Sequence, residues 1–197
     1  AEKPVTVAKA AGGSWYAGQF QAGVWHGEGE WHGRNGEVYK GQFLNGLFHG
    51  QGTLIAHGGT YTGGFKLGRR DGEGTLKEPG LAYRGGFKDD QYSGAGHLEQ
   101  DDGTQYQGLF SRGKPNGEGA RSDAAGNQLS GTFVNGQLEG HGNFSNADGD
   151  QYIGSFRHSQ LHGRGRYENA DGDVWIGQFK DGVLTGKGEM FGRDGSH

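Results

Sequence analysis

Apolar and polar residues alternate along this chain in short stretches, and the stretches recur. In Tyr39-Lys40-Gly41-Gln42-Phe43 one face carries the two aromatic rings and the other carries Lys40 and Gln42, which is the period-two signature of a half-buried strand. Eight such stretches open at Tyr16, Tyr39, Tyr61, Tyr83, Tyr106, Leu129, Tyr152 and Trp175, 22 or 23 residues apart. In all eight a glycine follows two residues after the opener and a phenylalanine two residues after that, from Gly18 and Phe20 to Gly177 and Phe179. Two more glycines stand eleven and thirteen residues after the opener, as Gly50 and Gly52 do after Tyr39. From there the alternation runs on to Leu54, Leu76, Leu98, Phe144, Tyr167 and Met190.

Each unit therefore predicts two strands. Asn45-Gly46, Asn135-Gly136 and Asp181-Gly182 mark the reversal inside a unit, and Asn35-Gly36, Asp102-Gly103, Asp148-Gly149 and Asp171-Gly172 mark the reversal between units, because these residues tolerate the positive φ of a tight turn. The expectation is an all-β array of about sixteen strands in which each unit buries its apolar face against its neighbours. Three glycines per unit fall on the aromatic face, where they are expected to leave room for rings to lie flat and to let the sheet curve. Residues 1–15 read as a partial repeat, with Val5 and Val7 alternating and Gly12-Gly13 at a turn. This segment is expected to blunt the open edge as an N-terminal cap, with eight tandem repeats over 16–197.

Composition narrows the picture. Of 197 residues 45 are glycine and only 30% are hydrophobic, too few for a thick core, while the strictly placed aromatic residues argue against disorder. A net charge of −4 with both signs interspersed leaves no basic stripe, which excludes nucleic acid as a partner. Apolar runs such as Leu54-Ile55-Ala56 are too short to form a transmembrane segment. The absence of cysteine removes thiol chemistry, disulfides and thiolate metal sites. Ala1 at the start fits removal of a signal peptide as well as excision of a methionine, and an exported or periplasmic place is favoured over a cytoplasmic one.

The unit Y-x-G-x-F-x-x-G-x-x-x-G-x-G, spread over residues 16–195, resembles the MORN (membrane occupation and recognition nexus) repeat. Local departures are Asp90 and Ser159 for the turn glycine, Leu129 and Trp175 for the opening tyrosine, and Arg121 at an apolar position. The resemblance implies an elongated, single-layered antiparallel β-sheet solenoid of tandem hairpins with an aromatic groove on one face. It also implies a non-catalytic scaffold that binds proteins and sometimes dimerises, in a family associated with membranes and phosphoinositides.

Candidate chemistry follows from the same pattern. Asn146-Ala147-Asp148-Gly149-Asp150 and Asn169-Ala170-Asp171-Gly172-Asp173 look like calcium loops, but the twelfth position counted from Asp171 is Gly182 and not a glutamate, so they read as turns. His26, His49 and His162 share one place in the unit, but Asp71, Ser93, Asn116 and Glu139 interrupt the ladder. Glu28, Glu73 and Glu118 fall on the solvated face, away from the desolvation that acid–base catalysis uses. Asn143-Phe144-Ser145 matches a glycosylation sequon. No enzyme activity, cofactor or metal site is expected. The aromatic face is the candidate surface, with Tyr39, Tyr61, Tyr83, Tyr106, Tyr152 and Trp175 as the groove residues and Trp25, Phe48 and Tyr92 as a second strip along one edge. The function expected is a scaffold binding a partner segment or a second copy of itself. The alternative is a peripheral membrane adaptor for anionic phospholipid head groups.

Overall fold

The computed structural model describes residues 6–9 and 12–197. Seventeen strands and no helix occur among them. After β1 (Thr6–Lys9) come the hairpins β2 (Trp15–Gln21) with β3 (Val24–His32), β4 (Val38–Leu44) with β5 (Leu47–Ala56), β6 (Gly59–Lys66) with β7 (Arg69–Glu78), and β8 (Leu81–Lys88) with β9 (Gln91–Gln100). The series goes on with β10 (Gln105–Ser111) and β11 (Lys114–Ser122), β12 (Gln128–Val134) and β13 (Gln137–Ser145), β14 (Gln151–Arg157) and β15 (Gln160–Glu168), and β16 (Val174–Lys180) and β17 (Val183–Phe191). The chain divides into two compact units, 1–96 and 97–197, with the division inside β9. In the first unit β1 to β8 pair antiparallel in chain order, and in the second β10 to β17 do the same. Sixteen strands belong to the repeats. The seventeenth, β1, comes from the segment read as a cap and pairs Thr6 with Gly18 and Lys9 with Trp15; Val5 lies outside the described residues.

The hairpin turns explain how successive units are tied together. Both central residues of the two-residue turns are left-handed, as at Asn45 (φ 50°) and Gly46 (φ 82°), the type I′ geometry that matches strand twist. The second turn residue donates its N–H to a carbonyl of the preceding hairpin: Gly46 to Trp25 O at 2.8 Å, Gly68 to Phe48 O at 2.8 Å and Gly182 to Leu161 O at 2.9 Å. Asp90 and Ser159 keep the same conformation at φ 68° and 63° and the same bond, to Arg70 O and Leu138 O. The lost glycines therefore leave the turns intact.

A row of paired glycines crosses each unit. In the first it runs Gly18, Gly29, Gly41, Gly52, Gly63, Gly74 and Gly85, each opposite the next across neighbouring strands. These are the glycines two and thirteen residues after the openers, and a Cβ on Gly52 or Gly74 would fall within 2.6 Å of the ring of Tyr39 or Tyr61. Room for flat rings is thus their use. The glycine eleven residues after the opener has another role, which corrects the sequence reading. A Cβ at Gly72 or Gly94 would meet nothing within 4 Å, yet their φ values are 91° and 74°. Such a glycine sits where the hairpin register shifts, as between Gly41↔Gly52 and Phe43↔Phe48, and the bulge needs a left-handed backbone.

Candidate functional site

Six of the openers build the same cell. Tyr39 lies over Gly52 and its edge meets Phe43 of its own hairpin at 5.0 Å and Phe65 of the next at 5.1 Å, both near perpendicular. Its hydroxyl donates to Gln42 O at 2.8 Å. On the other side of the ring Phe48 stacks at 3.9 Å and 9°. Trp25 covers Tyr16 in the same way at 4.7 Å, and Tyr92 covers Tyr83 at 3.8 Å. The same hydroxyl bond, to the carbonyl three residues on, recurs in Tyr16, Tyr61, Tyr83, Tyr106 and Tyr152. Burial raises the pKa of each of these hydroxyls, that of Tyr61 to about 12.

This arrangement places the expected contact residues differently from the alternation alone. Tyr39, Tyr61, Tyr83, Tyr106 and Tyr152 are only 0–3% exposed, because glycine backbone lies beneath each ring and other side chains close around it. Trp175 does not join them: it is half-buried beside Tyr167, with ring centroids 5.9 Å apart. Trp25, Phe48 and Tyr92 are strand residues and not a separate edge strip. They form the half-buried lid directly over the tyrosines.

Where the repeat pattern breaks, the cell is filled by other means. In the third repeat Arg70 takes the lid position, with its guanidinium 5.7 Å from the centre of Tyr61 and 5.0 Å from that of Phe87. Asp90 orients it by accepting from Nε at 3.2 Å while the Asp90 carbonyl accepts from Nη2 at 2.8 Å. Leu129 supplies no ring, so Leu138 from the lid position becomes fully buried and comes close to where Cβ atoms on Gly131 and Gly142 would stand. Arg121 donates to Gly136 O and to Ser159 Oγ and lies 5.6 Å from the centre of Phe133. It is thereby satisfied at an apolar position.

Three exposed aliphatic residues stand at the turn ends of the first unit: Val24 (43%), Leu47 (45%) and Leu67 (60%). Leu67 occupies a left-handed turn position, φ 49°, where Asn45 and Asn135 stand in other repeats. An exposed leucine in a strained backbone serves neither packing nor the turn. The hint in the sequence is a large apolar residue at a turn position that holds Asn45, Asp89, Asn135 and Asp181 in four repeats and Ala22, Arg112 and His158 in three others.

The acidic turns are built as turns. Asn146 Oδ1 accepts from the N–H of Asp150, whose carboxylate accepts from Tyr167 Oη at 2.7 Å and from the N–H of Ala170 at 2.9 Å. The bonds to its carboxylate, first from Tyr167, then from Asn146 Nδ2 at 3.1 Å and from the N–H of Ala170, hold the Asp150 carboxyl below its ordinary pKa.

Tandem hairpins of 22 to 23 residues, floored by glycine and layered with tyrosine and phenylalanine, define a β-hairpin repeat protein. The MORN repeat model matches residues 16–38, 39–60, 61–77, 83–105, 106–128, 130–151, 152–174 and 175–197, and the chain belongs to that family. No curated protein matches it significantly. Solved structures similar to it include the G-box domain of the microcephaly protein CPAP, for which a role in centriole elongation is suggested, at 14% identity and TM-score 0.36 over 95% of this chain and 97% of that one. Another is the TCP domain of SAS-4 (dCPAP) of Drosophila melanogaster in complex with a proline-rich motif of Ana2 (dSTIL), at 12% identity and TM-score 0.28 over 98% of this chain and 96% of that one. Neither likeness bears on what this chain does.

Proposed function

We propose that the chain is a non-catalytic interaction scaffold that meets a segment of another protein, or a second copy of itself, through the lid over its repeat tyrosines and the aliphatic residues at the turn ends. The observation that carries this reading is Leu67, which keeps an apolar side chain 60% exposed at a backbone conformation that asparagine would hold with less strain. Val24 and Leu47 stand at the neighbouring turn ends, facing the turns at Gly46 and Gly68 and pointing away from the lid residues that follow them in the strands, and a row of exposed aliphatic residues along one edge marks an interaction site. The buried tyrosines hold the lid residues flat and rigid, which lowers the entropy lost when a partner binds.

Charge pairing favours a protein partner over anionic head groups. Arg69 lies 3.7 Å from Asp89 and Arg70 lies 3.2 Å from Asp90, so two of the basic residues at this edge already face carboxylates.

Two substitutions test the proposal. Leu67→Asn is expected to raise the unfolding midpoint slightly while weakening association. Phe48→Arg is expected to fold, because Arg70 fills the same lid position, and to weaken association at least tenfold, in line with the loss of one aromatic anchor. Sedimentation velocity reads self-association, and photo-crosslinking from position 25, in the neighbouring lid, in the source cells reads a protein partner. Unchanged sedimentation and crosslinking in both variants would refute this surface. Binding to anionic vesicles that collapses as salt is raised would establish the head-group reading instead.

A further inference from the structure

The face of the second unit opposite the aromatic cells carries a pattern that no repeat feature requires. Five residues meet in a row across β10 to β14: Gln105 opposite Ser122, Ser122 opposite Gln128, Gln128 opposite Ser145, and Ser145 opposite Gln151. Amide and hydroxyl alternate strand by strand. The corresponding row of the first unit is His32, Val38, Ile55, Thr60, Lys77 and Ala82, with no such order. The row walls a cavity of about 420 Å³, within the range of small-ligand sites. Ala120 and Ile153 supply apolar surface beside it, Ile153 being 47% exposed.

None of the five side chains has a hydrogen-bond partner within the chain among the described residues. The site is also neutral. Arg121 borders the cavity, but its guanidinium is held on the other face by Gly136 O, Ser159 Oγ and Phe133, and His97 at the margin is paired with Glu99 at 2.8 Å. Nothing there would compensate a phosphate, a carboxylate or an ammonium group.

We infer that this cavity binds a linear neutral oligosaccharide lying across the strands. Amides and hydroxyls offer donors and acceptors together, as vicinal diols require, and Ala120 and Ile153 suit the C–H face of a pyranose ring. Adjacent strands are about 4.8 Å apart, close to the advance of one sugar in an extended chain, so successive Gln and Ser residues can meet successive rings. A peptide strand is a poorer match, because it adds to sheets through backbone groups at an edge, and the backbone here is already paired on both sides.

The test is an NMR titration of the full chain with maltotriose, cellotriose and chitotriose, with trigalacturonate and a short neutral peptide as comparators. One neutral trisaccharide is expected to shift the side-chain amide of Gln128 and that of Gln105 or Gln151 saturably, in the millimolar range or tighter. Gln128→Leu, which keeps most of the volume at the centre of the row and removes its polar tip, is expected to weaken binding roughly tenfold. Thr60→Val in the first unit is expected to leave it unchanged. The inference is overturned if no neutral trisaccharide moves these amides, if only the charged sugar or the peptide does, or if Gln128→Leu binds like the wild type.

Discussion

Gly52→Val is expected to destabilise the chain by about 3 kcal/mol or more, and Gly72→Ala by only about 1–2 kcal/mol, although both replace a repeat glycine. A Cβ at Gly52 would stand 2.5 Å from Cε2 and Cζ of Tyr39. The ring must leave its place, and with it go the stack on Phe48 at 3.9 Å, the edge contacts with Phe43 and Phe65, and the hydroxyl bond to Gln42 O. Overpacking and a lost hydrogen bond then add. At Gly72 a Cβ meets nothing, so the penalty is only that of a side chain at φ 91°. Urea unfolding followed by circular dichroism separates the two. A Gly52→Val protein as stable as wild type, or less affected than Gly72→Ala, contradicts the cell.

Alkali is expected to melt the sheet between pH 10 and about 12. The folded pKa of Tyr61 is raised by burial from 10.0 to about 12, and burial raises those of Tyr16, Tyr39, Tyr83, Tyr106 and Tyr152 as well. Because the shift is upward, the stabilisation is complete below pH 10, where both states bind the proton, and is withdrawn as pH rises through the folded values. Tyr61 alone accounts for roughly 2–3 kcal/mol over that interval. A phenolate cannot donate to Gly64 O, as the Tyr61 hydroxyl does at 2.8 Å. Phenolate absorbance and far-ultraviolet circular dichroism should therefore change together. Ionisation of all the tyrosines near pH 10 with the sheet intact would show that the rings are not closed in as described.

The aromatic cell shows how far the pattern of residues reaches. Which residues share a face was legible, since strand alternation is local geometry and the spacing of Tyr39, Gly41 and Phe43 is read directly. Which of them would be accessible was not. Tyr39 and Phe48 are both aromatic and both on that face, but only the hairpin crossing puts one on top of the other and leaves the first at 0% exposure. Leu138 gives the same lesson in reverse: it is buried because Leu129, nine residues earlier, lacks a ring.

By itself, then, the sequence determined the period, the strand count within one, the turn types and the face on which the rings lie, because all of these depend on residues close together along the chain. Tertiary structure alone decided the register. The shift between Gly131 and Thr132 makes Leu129 face Phe144 but Phe133 face Leu138, and a bulge of this kind moves every later pair. The lid over the tyrosines, the separate use of the glycine eleven residues after each opener and the Gln–Ser row from Gln105 to Gln151 all depend on that register, since they join residues whose spacing along the chain does not reveal that they stand opposite one another.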